Sequence, residues 1–189
     1  MREYETYPVN EGKNSLQYWT KFCSPLKVIK NFIIIEICRY SPSLKLKSYL
    51  ARHFLGMRMG KAVSWGLMAM VDIFWPEKIS IGDNCILGYN STLLCHEFLI
   101  KELRLGKIQI GADVMIGANT TILPGVIIGD NAVVAAGSLV NRDVQPGEFV
   151  GGVPIRTLKP RQKNQENGSW ENEPREDGDE TLSLFIKER

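Results

Sequence analysis

The chain has 189 residues, 44% of them hydrophobic and 23% charged, with 23 basic against 21 acidic side chains and a formal net charge of +2. That length allows one domain with appendages and a working core, and the composition excludes a wholly disordered chain, a collagen-like repeat and a disulfide scaffold. The near balance of charge argues against a dedicated nucleic-acid binder, and 2 histidines are too few for a site built on three imidazole ligands.

Residues 1–60 read as a helical segment. Leu26, Ile29, Ile33, Ile37 and Tyr40 recur at helical spacing, and a second short helix fits Ser43 to Leu55 after Pro42. Such helices are expected to pack on the next segment as a cap. A membrane-surface role is the other reading of this stretch, and its few cations (Lys27, Lys30, Arg39) favour packing. The longest apolar run, Val28 to Cys38, is broken by Lys30, Asn31 and Glu36 and falls short of about 18 clean residues, so no membrane span is expected. Cys23, Cys38, Cys85 and Cys95 show no CxxC spacing, and no basic, apolar, small-residue leader opens the sequence. Free thiols in a cytoplasmic protein are the expectation.

From about residue 61 to 160 the chain repeats. Ile79-Ser-Ile-Gly-Asp-Asn84, Ile108-Gln-Ile-Gly-Ala-Asp113, Val126-Ile-Ile-Gly-Asp-Asn131 and Val144-Gln-Pro-Gly-Glu-Phe149 align, the last three 18 residues apart. Inside that period lies one of six: Ile110, Ile116, Ile122, Ile128, Val134 and Val140 form one run, and Ile81, Leu87 and Leu93 another. Six matches neither the 3.6 of a helix nor the alternation of a flat strand. It matches a triangular coil of three short strands, one aliphatic side chain per strand pointing inward, with coils stacked at roughly 4.8 Å. Small residues after each aliphatic (Gly82, Gly88, Gly111, Gly117) suit tight corners, and Val63, Ala69 and Trp75 suggest the first turn. Residues 161–189 carry 8 acidic and 5 basic side chains and read as a polar, disordered tail.

One coil is interrupted. The first two repeats start 29 residues apart instead of 18, and the extra residues, about 97–107, follow Cys95-His96-Glu97 as a protruding loop. A solenoid buries its core without such a loop, and long insertions usually serve binding. Imidazole is the side chain suited to taking a proton near neutral pH, so His96 is the candidate base. Neighbours on an extended strand face opposite ways, which argues against a Cys95–His96 nucleophile pair. His53, in the helical region, reads as structural.

These motifs resemble a known family. Thr92-Leu-Leu-Cys-His-Glu97, Ile116-Gly-Ala-Asn-Thr-Thr-Ile-Leu-Pro-Gly-Val-Ile-Ile-Gly-Asp130, Ala135-Ala-Gly-Ser-Leu-Val140 and the closing Val150-Gly-Gly-Val-Pro-Ile-Arg156 are similar to the hexapeptide-repeat acetyltransferases, in the maltose/galactoside O-acetyltransferase and xenobiotic acetyltransferase branch. The resemblance implies a mainly β fold, a left-handed parallel β-helix of about 4–5 triangular coils. It also implies a homotrimer, with acetyl-CoA between neighbouring subunits as co-substrate and no metal. His96 falls on the family's catalytic base. Ala118 and Ala136 fall where the pantetheine arm lies, Asn141 and Arg142 where the family holds CoA phosphates, and Arg156 and Lys159 near the adenosine-phosphate end.

The family pattern is not kept everywhere. Position 118 is often Ser and 115 commonly Trp in relatives, where this chain has Ala118 and Met115. The acceptor-binding residues of the sugar enzymes have no clear match in Ile73 to Lys78, leaving Asp72, Asn84, Asn90 and Glu97 as candidate substrate contacts beside Glu77. A surface-charge reading is the lesser one for Arg142 and is nearer even for Arg156 and Lys159. The expected activity is direct acetyl transfer to a hydroxyl of a small acceptor such as a saccharide, since no credible nucleophile is present. A non-catalytic scaffold or binding module is the alternative.

Overall fold

The six-residue period closes into stacked triangular coils in the computed structural model, which describes residues 2–9 and 12–158. The first coil holds β2 (Arg58–Met59), β3 (Ser64–Trp65) and β4 (Met70–Val71), after a short N-terminal strand β1 (Tyr4–Pro8). The second holds β5 (Ile79–Ile81), β6 (Ile86–Leu87) and β7 (Thr92–Leu93), and is followed by β8 (His96–Phe98) and β9 (Glu102–Gly106). The third holds β10 (Ile108–Ile110), β11 (Met115–Ile116) and β12 (Thr121–Ile122); the fourth β13 (Ile127–Ile128), β14 (Val133–Val134) and β15 (Leu139–Val140). Strands β16 (Phe149–Gly151) and β17 (Arg156–Thr157) end the described chain.

Corresponding strands of successive coils pair in parallel and make three faces. The first face is β2-β5-β10-β13, the second β3-β6-β11-β14-β16 with β17 antiparallel at its end, and the third β4-β7-β12-β15. The fold is a left-handed parallel β-helix. Register places Ile81, Ile110 and Ile128 in one stack, Leu87, Ile116 and Val134 in a second, and Leu93, Ile122 and Val140 in a third. All nine are at most 4% exposed. Each such burial contributes about 1.5–3 kcal/mol, which explains why one aliphatic per six residues dictates the fold. At the corners Asn84, Asn90, Asp113, Asn119 and Asn131 adopt positive φ, as short polar side chains tolerate. Asn84 donates to Asp113 (2.7 Å) and Asn90 to Asn119 (2.9 Å), tying one coil's corner to the next.

The first coil starts at Arg58, ahead of the boundary expected at 61, and its phase differs from the reading of the sequence. Met59, Trp65 and Val71 align with Ile81, Leu87 and Leu93. Val63, Ala69 and Trp75 are buried too, but at the corner-filling position that Val114, Thr120 and Val126 occupy later. An indole in an aliphatic slot conceals the period there.

Helices α1 (Trp19–Phe22), α2 (Pro25–Tyr40) and α3 (Leu44–His53) precede the coils. Proline at the start of α2 suits a first turn whose N–H groups have no helical partner, and Ser43 caps α3 by accepting from the Leu46 N–H. The first coil has no strand beyond it, and α3 supplies the missing donors. The Lys47 ammonium, 1% exposed, donates to the carbonyls of Trp65 (2.9 Å) and Gly66 (3.1 Å). Arg52 donates to those of Met59 and Gly60. An open strand edge is thereby closed.

The packing face of α2 is opposite to the expected one. Asn31, Ile35 and Cys38 are buried, with Val28 and Ile34 against the core, whereas Leu26, Ile29, Ile33, Ile37 and Tyr40 are exposed. Both sides of the helix are apolar, so periodicity alone could not choose between them, and the polar Asn31 disguised the inner one. Among the described residues no helix is long and apolar enough to cross a membrane. The expected tail, residues 161–189, and Lys159 lie outside the described residues.

Candidate active site

Two irregularities fall on the same edge of the prism, between the third and first faces. After β4 the chain makes the excursion Asp72 to Lys78, including a short 3-10 turn at Pro76–Lys78. One coil later, after β7, comes the insertion. That insertion is a β-hairpin rather than a plain loop: β8 and β9 pair antiparallel, and β1 adds to β9 as a third strand. The alternation Glu102-Leu103-Arg104-Leu105 is the signal for it, with Leu103 and Leu105 buried. Glu3 donates its N–H to the Gly125 carbonyl (3.1 Å), which fastens the N-terminal strand to the third coil.

Stacking of these excursions brings Asp72 to His96. An Asp72 oxygen, Oδ2, lies 2.6 Å from His96 Nδ1 and also accepts from the Cys95 N–H (2.7 Å). The other, Oδ1, accepts from the N–H groups of Phe74 (2.9 Å) and Trp75 (2.8 Å). The Asp72 side chain is 0% exposed and that of His96 15%. Since the carboxylate acts as an acceptor throughout, the neutral imidazole carries its proton on Nδ1. In that form Nε2 carries the lone pair, and it has no hydrogen-bond partner among the described residues.

Aromatic rings hold the imidazole in place. Phe74, Phe98 and Trp75 meet it edge-on at centroid distances of 4.9, 5.0 and 5.6 Å. The excursion carrying two of them is braced by α2: Asn31 donates to the Ile73 carbonyl (2.9 Å) and Lys27 pairs with Glu77 (2.7 Å). From the sequence Trp75 reads only as a coil position, and Phe74 and Phe98 have no role beside His96. For Phe74 and Trp75 the one signal was the extra length between Val71 and Ile79, where the six-residue period is lost; Phe98 lies in the insertion itself.

The remaining candidates are distributed differently. Glu97, next to His96 on β8, turns to Arg2 (3.1 Å). Asn84 and Asn90 occupy the other two edges as corner residues. Asp72, a candidate for substrate contact, is buried beneath His96 instead. Ala118 and Ala136 stack on the edge between the second and third faces, where Gly137 donates to the Ala118 carbonyl (2.8 Å). The N–H groups of Ala118 and Ala136 donate to no group among the described residues. On the edge between the first and second faces the equivalent N–H groups of Lys61 and Ala112 are taken by Asp83 and Asp130. One edge is therefore closed by side chains, and the other keeps its N–H groups unpaired among the described residues. Asn141 and Arg142 lie on the His96 edge, past β15. Asn141 is exposed, but the Arg142 guanidinium forms a two-pronged ion pair with Glu148 (2.9 and 3.3 Å) and donates to the Asp143 carbonyl. Arg156 is exposed on β17. Cys95 is fully buried, and burial, followed by the Asp72 charge, pushes its thiol far up. It is no nucleophile.

Residues 107–142 match the model of the bacterial transferase hexapeptide (six repeats), and residues 78–95 that of the hexapeptide repeat of succinyl-transferase. YvoF of Bacillus subtilis (strain 168), which carries the name of an acetyltransferase, is 55% identical over 166 residues, spanning 88% of this chain and 96% of its own.

The chain belongs to the hexapeptide-repeat acetyltransferases.

Solved structures agree. A Vibrio cholerae hexapeptide-repeat acetyltransferase complexed with acetyl coenzyme A superposes with a TM-score of 0.61 at 25% identity, covering 71% of this acetyltransferase and 86% of that chain. A galactoside acetyltransferase in complex with coenzyme A gives 0.56 at 27% identity, covering 74% and 84%.

Proposed function

We propose that this acetyltransferase moves an acetyl group from acetyl-CoA to a hydroxyl of a small acceptor, of the saccharide class, by direct transfer with His96 as general base. The observation that carries the reading is the buried Asp72 carboxylate on Nδ1, which leaves Nε2 as the free acceptor of a proton. Nε2 takes the hydroxyl proton as the acceptor oxygen attacks the thioester carbonyl carbon. The tetrahedral centre then collapses, the carbon–sulfur bond breaks, and His96 returns its proton to the departing thiolate. The aromatic surround of His96 limits water at that step.

The open N–H groups of Ala118 and Ala136 fit the amide carbonyls of a pantetheine arm, and the exposed Asn141 and Arg156 fit the phosphates, with Lys159 added on the family resemblance alone. Arg142 joins them only by sharing its guanidinium with Glu148. The alanines and His96 lie on different edges of one prism, which supports a site assembled between subunits of a cyclic trimer. Four buried free thiols support a cytoplasmic location. The galactoside acetyltransferase likeness supports the saccharide class.

An acceptor screen that follows thiol release from acetyl-CoA tests this reading. A sugar acceptor should release thiol, and His96→Ala should lower kcat by about 10²–10⁴ while acetyl-CoA still raises the Tm of the variant. Unchanged turnover in His96→Ala would overturn the base assignment. No Tm shift with any CoA species would overturn the cofactor.

A further inference from the structure

Helix α2 presents a second apolar face that none of the described residues covers. Leu26, Ile29, Phe32, Ile33, Ile37 and Tyr40 are 45–79% exposed. At 3.6 residues per turn they occupy roughly 140° of the circumference, directly opposite Asn31, Ile35 and Cys38. Lys30 and Arg39 border the arc on its two sides, and α3 next to it exposes Leu44, Tyr49 and Phe54. A helix that is apolar all round belongs under cover on both sides. The coil covers one.

Charge identifies what covers the other. Between residues 24 and 71 the only acidic residue is Glu36, and it is paired with Arg39 at 2.8 Å. Lys30, Lys45, Arg52, Arg58 and Lys61 are all exposed along that stretch. A second copy meeting this face about a two-fold axis would set one cationic rim against another, and a head-to-tail contact is separated from membrane docking by light scattering. An apolar centre with a cationic border is instead the complement of anionic lipid, whose acyl region takes the side chains and whose phosphates take the charges. The 16 residues of α2 make a helix of about 24 Å, shorter than a hydrocarbon core of about 30 Å, so it lies in the interface plane.

We propose that the exposed face of α2 and α3 docks this protein on an anionic membrane surface. The proposal does not depend on the acyl-transfer reading. A cyclic trimer would present three such faces on one side and multiply the attachment.

Flotation of the full chain with vesicles tests it, using equal parts phosphatidylcholine and phosphatidylglycerol against phosphatidylcholine alone. The chain should float with the anionic vesicles, and less so as salt is raised. Phe32→Ser with Ile33→Ser should lower the partition coefficient roughly tenfold to a hundredfold without lowering Tm. Lys30→Glu with Lys45→Glu should remove the salt-sensitive part. The proposal is overturned if the wild-type chain floats with neither vesicle, or if the serine variant floats as well as wild type. It is overturned equally if wild type fails to float and the serine variant has a smaller mass by light scattering, which would make the face a subunit contact.

Discussion

His96 Nδ1 stands 2.6 Å from Oδ2 of Asp72, a residue 24 positions earlier that the coil stacking places directly beside it. The same carboxylate accepts three backbone N–H groups, from Phe74, Trp75 and Cys95. Position and tautomer of the imidazole are therefore set by one buried side chain.

Asp72→Asn and Asp72→Ala separate those duties. The asparagine variant keeps one oxygen for the Phe74 and Trp75 N–H groups but sets an amide NH2 against Nδ1 and the Cys95 N–H, so kcat should fall by about 10²–10⁴ with a stability loss of about 1–3 kcal/mol. The alanine variant also strands buried N–H groups and should lose about 3 kcal/mol or more of stability. Steady-state kinetics and denaturant unfolding read the two effects. Equal kcat in wild type and Asp72→Asn would refute the positioning role.

Glu148 links acid stability to the end of the helix. The Arg142 guanidinium, with help from the Thr157 hydroxyl, holds its carboxyl down to about 2 from 4.5, against a smaller opposing effect of burial. A depressed folded-state value stabilises above the unfolded one and ceases to do so as pH falls through the folded one. Between about pH 4.5 and about pH 2 the wild-type Tm should therefore drop more steeply than that of Glu148→Gln. Parallel curves would contradict the linkage.

The four cysteines are free and buried. Burial pushes the Cys38 thiol up to about 11, and raises those of Cys23, Cys85 and Cys95 as well. A thiol-reactive dye should label the folded chain slowly and all four positions quickly in denaturant. Cys95→Ala should retain turnover within about threefold, since no covalent step runs through it. A dead Cys95→Ala that keeps its Tm would reopen the nucleophile reading.

Gly125 combines φ +80 with backbone of Glu3 where a Cβ would stand. Gly125→Ala should push β1 away from the hairpin while sparing the coil core. Faster hydrogen exchange confined to residues 3–9 and to β9 is the expected result. Unchanged protection there would show that the strand holds without that contact.

The amino-acid sequence by itself determined the coil. Each inward aliphatic acts within its own six residues and its stacked neighbours lie 18 away, so a local count exposes the fold from Ile79 to Val140. It also marked His96, because an interruption is visible only against a strict period. Tertiary structure decided what depended on distant partners. Asp72 reaches His96 only because two coil edges coincide, and Tyr4–Pro8 becomes a strand only by pairing with residues 102–106. The side of α2 that faces inward was likewise settled by packing: with apolar residues on both faces, hydrophobic periodicity carries no direction until the coil and the Ile73 carbonyl select Asn31.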